Sequence, residues 1–252
     1  MIIERIKNKE WNVIRDIKSS GKEIEQSLIP LTTHEDPEIR ELTLYCLNEI
    51  DDLESNEVFT KALKDDEEAI RNRACLFLHK HHSENIIPDL FREIDDNPDI
   101  YVREQMPLII GRVEDPNSLP ELKKYYKKEP DDIVRNNIGL AMARLKEEKC
   151  QEKILEDLKN DDVQILYRAL KDFEYMNDST LIKHLLPLLD DLRDVKKIGP
   201  SGHNYFLRIC DATINVIDSI LNHPFEFNGA ELRQYTDQEL SSGKSVIKKT
   251  KK

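Results

Sequence analysis

Asn97-Pro98-Asp99-Ile100-Tyr101-Val102-Arg103-Glu104-Gln105-Met106 is an acidic, proline-containing turn that runs into an apolar–arginine step. The chain repeats this design. Ile39-Arg40, Ile70-Arg71, Val102-Arg103, Val134-Arg135 and Ile165-Leu166 follow one another at intervals of 31, 32, 32 and 31 residues. Before each stands a similar turn: Glu35-Asp36-Pro37, Asp65-Asp66, Asn97-Pro98-Asp99, Pro130-Asp131-Asp132 and Asp161-Asp162. A fixed period of roughly 20 to 50 residues marks a solenoid, whose units bury their apolar faces only against their neighbours.

Counting from the arginine position as zero, apolar or small residues recur at −1, +3, +6, +7 and +10. In one unit these are Val102, Met106, Ile109, Ile110 and Val113; in the next, Val134, Ile138, Ala141, Met142 and Leu145. This is a broad helical stripe. It predicts second helices of a pair over Pro37–Ile50, Glu67–Lys80, Asp99–Val113, Asp131–Leu145 and Val163–Met176, with a last one over Asn204–Leu221. The first helices read as Lys22–Leu31, Ser55–Leu63, Glu84–Ile94, Ser118–Tyr126, Lys149–Leu158 and Ser179–Leu189. Pro88 and Pro120 suit a first turn, where amide hydrogens lack helical acceptors. Pro30 and Pro187 lie later and predict a kink or an end. A separate stripe, Ile3, Ile6, Val13, Ile14 and Ile17, closed by Ser19-Ser20-Gly21, predicts a helix capping the array at 1–21. The array itself covers 22–222. The tail, 223–252, loses periodicity and ends in a basic, polar run, which predicts partial disorder.

These turns and apolar–arginine steps resemble HEAT repeats, in particular the short phycobilisome-lyase HEAT-like type. The resemblance implies an all-α, right-handed α-solenoid of about six helix pairs, with second helices lining a concave face. It leaves activity open, since the family includes scaffolds, lyases, glycosylases and hydroxylases.

Charged residues make up 35% of the chain, against about 25% in an ordinary domain. That fits an elongated array with much surface. The formal net charge is −12. Residues 1–33 carry +1 and 223–252 carry +2, so 34–222 hold −15. An acidic array disfavours phosphate backbones and hence general nucleic-acid binding; it favours a partner with a basic surface. No apolar stretch approaches the roughly 20 residues of a membrane span, and the charged start lacks a secretory signal's apolar run. Cys46, Cys75, Cys150 and Cys210 are widely spaced and read as free thiols in a reducing, cytoplasmic setting.

Four groups of residues are candidates for chemistry. Arg40, Arg71, Arg103 and Arg135 each stand four residues after an acid (Asp36, Glu67, Asp99, Asp131), which places the pair on one helical face. The resemblance implies a ladder between repeats, and an anion-binding row would not skip Leu166. His34-Glu35 resembles one iron-binding pair of the HEAT-repeat hydroxylase of deoxyhypusine. The corresponding places read Lys64-Asp65, Asp96-Asn97 and Glu129-Pro130, too few ligands for a metal. His79, His81 and His82 cluster at a helix end and read as solvated. Trp11, the single Trp, lies in the cap and not in a basic groove, so glycosylase chemistry is not supported.

The expected function is therefore a non-catalytic protein-interaction scaffold without cofactor or metal. The alternatives are an immunity- or inhibitor-type protein masking a basic toxin or enzyme, and a lyase-like tetrapyrrole-handling enzyme. Positions +1 and +5 avoid the core stripe and are the expected contacts, pairing Glu41 with Tyr45, Asn72 with Leu76, Glu104 with Leu108, Asn136 with Leu140 and Tyr167 with Lys171. The partner-binding set is Tyr45, Asn72, Glu104, Asn136, Tyr167 and Lys171. His203 and Tyr205 join it, flanking the turn Gly199-Pro200-Ser201-Gly202 of an insertion at 193–204 that interrupts the period.

Overall fold

A computed structural model describes residues 2–198 and 205–249. The chain forms two compact units, Met1–Ala141 and Met142–Lys252. The first contains α1 (Ile2–Lys7), α2 (Ile14–Ser20), α3 (Glu25–Leu28), α4 (Pro37–Asn48), α5 (Glu57–Ala62), α6 (Glu68–Leu78), α7 (Ile87–Asp96), α8 (Ile100–Val113) and α9 (Leu119–Lys128), followed by α10 (Asp132–Arg144). The second contains α11 (Glu148–Asp157), α12 (Val163–Met176), a run of 3-10 turns (Ser179–Asp190), strands β1 (Asp194–Ile198) and β2 (Tyr205–Arg208), then α13 (Ile209–Ile220) and α14 (Asp237–Lys249). The class is all-α, with one small antiparallel hairpin.

The second helices form where the stripe predicts them, and the turn chemistry starts them. The carboxylates of Asp36, Asp99 and Asp162 accept hydrogen bonds from the amides of Glu38, Tyr101 and Gln164. Each thereby satisfies a donor that the first helical turn leaves open. In α8, Val102, Met106, Ile109 and Ile110 are fully buried. Burial of each such side chain stabilises by about 1.5–3 kcal/mol. The +10 residues Val113 and Leu145 are only half-buried, because each helix ends there.

Several first helices are shorter or tighter than expected. Pro30 lies in 3-10 turns (Ile29–Thr33) that follow the short α3. The whole Ser179–Asp190 segment, with Pro187 inside it, is 3-10. The expected N-terminal helix is split: Lys9 takes a left-handed φ of 59° between α1 and α2. Arg5 braces the break by binding Glu10, Asn12 and Asp16.

The arginines form a ladder, with acids other than those four residues upstream. Both acceptor oxygens of Asp65 receive hydrogen bonds from Arg40, at 2.7 Å each. Arg40 also donates to the carbonyls of His34 and Glu35. Arg71 repeats this with Asp99 at 2.8 Å and the carbonyls of Asp65 and Asp66. Arg103 grips Glu129 at 2.7 and 2.9 Å and donates to the Ile94 carbonyl. Each guanidinium thus ties its own turn to the turn of the next repeat. Burial pushes the Asp65 carboxyl up, but hydrogen bonds from Arg40 and the Glu67 amide outweigh it and hold it below its usual range. Arg135 stays local, on the Glu129 carbonyl and Asp132.

One expectation for the C-terminal part is corrected. The helix expected from Asn204 begins only at Ile209, because Tyr205–Arg208 pairs with Asp194–Ile198. Within the tail, Asp237–Lys249 forms α14, which buries Leu240, Gly243 and Ile247. Gly243 packs closely: a Cβ there would lie 2.6 Å from the Cδ1 of Ile214, whose side chain would have to shift to admit it. The segment before α14 is held by the fully buried Asp211, which accepts from Arg208 and from the Tyr235 amide. Thr236 and Glu239 close a capping box on α14. Sequence reading missed it because the apolar stripe behind it is short.

Two predictions follow from these contacts. Arg103→Ala removes both links of one rung and lowers unfolding free energy in urea by about 1–3 kcal/mol; an unchanged midpoint would show that the ladder is ornamental. The Glu239 carboxyl is held down to about 2 by hydrogen bonds from Arg233, against some burial. A lowered carboxyl stabilises above its unfolded value of 4.5, and the contribution fades as pH falls toward about 2. The stability gap between the parent and Glu239→Gln is therefore constant near neutrality and closes between pH 4.5 and 2, read by denaturation at each pH.

Candidate functional site

In the first unit, the ladder takes position 0 and the core takes −1, +3, +6 and +7. That leaves −3, +1 and +5 on one open face of α4, α6, α8 and α10. None of the expected contacts there is buried. Glu41, Tyr45, Asn72, Glu104, Leu108 and Leu140 are half-buried, and Asn136 is exposed. Leu76 is 51% exposed, so this +5 leucine does not belong to the core. Ile100 at −3 and Ile133 at −2 add 45% and 56% exposed apolar side chains.

Position +2, which the sequence reading passed over, ties neighbouring second helices together. The Arg73 guanidinium sits 4.6 Å from the Tyr45 ring centroid and 3.8 Å from Glu41. Gln105 meets His79 Nε2 at 3.1 Å. Asn137 donates to the Glu104 main-chain carbonyl at 2.9 Å. These polar bridges fix the face side by side, α4 to α6 to α8 to α10. Polar residues at a constant offset from the arginine were the available signal.

At one end of the face, Trp11 packs edge-on against Tyr45, which packs edge-on against Phe77, each at 5.4 Å between centroids. Trp11 Nε1 donates to Glu38. Tyr45 is thus an aromatic already braced by Arg73 and Trp11. Glu104 differs: burial, then Asp131 and Asp99, push its carboxyl above the usual range.

In the second unit, Tyr167 is half-buried and Lys171 exposed on α12. Lys171 pairs with Glu174 at 2.9 Å. The hairpin lies against this helix: Gln164 donates to the Val195 carbonyl at 3.1 Å, and Lys196 Nζ stands 5.6 Å from the Tyr167 ring centroid. Tyr205 begins β2, while His203 lies outside the described residues. Arg193, just before the hairpin, donates to the Asp161 carbonyl at 2.7 Å and pairs with Asp191. It supplies the guanidinium that Leu166 lacks. Asp172, also on α12, has its carboxyl raised to about 6, chiefly by burial, which outweighs the pull of Arg168.

The histidines serve the scaffold. His34 Nδ1 accepts from the Asp36 amide, His81 reaches the Asn48 carbonyl, and His82 reaches the His79 carbonyl. Among the described residues no group of three or more His, Cys, Asp or Glu could hold a metal ion. Nor is any described helix long and apolar enough to cross a membrane. A cleft of about 520 Å3 opens at the Arg71–Asp99 rung, with Asp66, Glu93 and Asp96 on its walls.

A family model described as HEAT repeats matches residues 25–105 and again 56–143. Residues 25–143 are therefore HEAT repeats. Its fold is similar to a chain in the structure of the complex of CpcE and CpcF of phycocyanin lyase from Nostoc sp. PCC7120. The TM-score is 0.56 at 12% identity, over 98% of this chain and 93% of that chain. Human deoxyhypusine hydroxylase in complex with glycerol matches with a TM-score of 0.42 at 13% identity, over 93% and 96%. No curated protein matches the sequence. The shared HEAT architecture accounts for the ladder and the paired helices, and it leaves the open face to this chain's own side chains.

Burial pushes the thiols of Cys46 and Cys75 up to about 12 and that of Cys210 to about 11. A thiolate-specific reagent at pH 8 is therefore expected to leave these three unmodified until denaturant is added. Rapid labelling of any of them in the native protein would contradict the packing described.

Proposed function

We propose that the chain is a non-catalytic protein-binding scaffold whose docking surface is the −3/+1/+5 face of the second helices. One observation carries this reading: Leu76, Ile100 and Ile133 stand 51%, 45% and 56% exposed on a face that polar bridges hold in fixed register. Exposed apolar side chains set among Glu, Asn and Tyr match the make-up of a protein interface, where a few large residues supply most of the energy inside a polar rim. The net charge of −12 supports a partner with a basic surface, drawn in by long-range attraction.

The double substitution Leu76→Asp with Ile133→Asp tests this. Both side chains are exposed, so the melting temperature is expected to stay within a few degrees of the parent. Proteins captured from the native host by the parent are expected to be lost by the variant. For a captured partner, the association rate should drop as salt rises from low to physiological levels, with dissociation changing much less. Undiminished capture by the variant would move the docking surface elsewhere.

A further inference from the structure

On α8, Ile100, Glu104 and Leu108 are spaced four residues apart and share one helical face. The apolar pair brackets the carboxylate one turn to either side. Several half-buried or buried carboxylates in this unit have a cation: Asp65 has Arg40, Glu93 has Lys64, Asp99 has Arg71 and Glu129 has Arg103; the buried Glu25 instead accepts from the amides of Glu54 and Ser55. Glu41 faces Arg73 at 3.8 Å. No described cation or hydrogen-bond donor meets the Glu104 carboxylate, although it too is half-buried. The charges that act on it are Asp99 and Asp131, both negative. Of these, Asp99 is engaged by Arg71 and Asp131 by the amides of Ile133 and Val134, so neither donates to it.

A partly desolvated carboxylate without a counter-charge is unfavourable when alone and favourable once a cation arrives. Its position is fixed in advance, since Asn137 holds the Glu104 carbonyl and His79 holds Gln105. Leu76 and Ile133 stand exposed on the two neighbouring helices. Apolar contacts around the pair would exclude water and strengthen it.

We propose that this face takes a segment of a partner protein that presents a Lys or Arg between apolar residues, the cation pairing with Glu104 and the apolar residues resting on Ile100 and Leu108. This rests on the docking reading above and adds the chemistry of the occupant. The acidity of the region, −15 over residues 34–222, is complementary to such a segment.

The test is selection of random 12-residue peptides, displayed on phage, against the immobilised full-length chain, followed by affinity measurement with the synthetic winners. Selected peptides are expected to carry Lys or Arg beside apolar residues. Glu104→Gln is expected to weaken them roughly tenfold, the scale of one charge pair. Glu104→Lys is expected to lose them and to select Asp- or Glu-containing peptides in their place. Since the Glu104 carboxylate has no internal partner, both variants should melt as the parent does. Peptides that are lost on Leu76→Asp yet show no basic preference and ignore Glu104→Lys would overturn this proposal and leave the docking reading standing. Peptides indifferent to Leu76→Asp and Ile133→Asp, or no selected peptide at all, would overturn both.

Discussion

The rest of the structure depends on one interaction: an arginine that satisfies its own turn's carbonyls and, with the same planar group, holds the carboxylate of the next turn. A turn entering a helix leaves carbonyls and amides without helical partners. The guanidinium presents several donors in a rigid fork. Arg40 therefore reaches His34 and Glu35 on one side and Asp65 on the other. Asp65 in turn accepts from the Glu67 amide, so one carboxylate both shapes its turn and receives the previous repeat. Lysine, with a compact ammonium, could not span the two. The rung sets the spacing at which turns recur over the three intervals that carry one, from Arg40 to Glu129.

The fifth repeat shows the same demand met by other means. Leu166 cannot donate, yet the Asp161 carbonyl still finds a guanidinium, from Arg193. Asp191 stands 25 residues after Leu166, as Asp65 stands 25 after Arg40. The acceptor place is thus retained and the donor arrives from the start of the insertion. This gives the insertion a structural task at its base, while its strand β1 lies along α12 beside Tyr167.

Assigning each helical position to a task also isolates what is available for binding. The ladder uses 0, the core uses −1, +3, +6 and +7, and the bridges to neighbouring helices use +2. What remains is a row that mixes apolar and acidic side chains, and in it the half-buried Glu104 carboxylate has neither a described cation nor a described hydrogen-bond donor. Function in such an array resides in this residual face, since a shared fold does not carry an activity with it.

Sequence alone determined the helix class, the period, the second helices and the core stripe, because these follow from side-chain spacing of 3.6 residues per turn and from acidic turn residues that cap locally. It also indicated that arginines would form a ladder, and it marked Tyr45, Asn72, Glu104 and Asn136 as unburied. Tertiary structure alone decided which acid each arginine meets, since the partner lies 25–28 residues ahead and not on the same helical face. It alone showed the +2 bridges, the paired strands Asp194–Ile198 and Tyr205–Arg208, and the helix within the tail. Arg73, Asn137, Arg208 and Asp211 act across distances in the chain that no local pattern encodes. Their partners are chosen by which segments are brought side by side once the repeats have stacked.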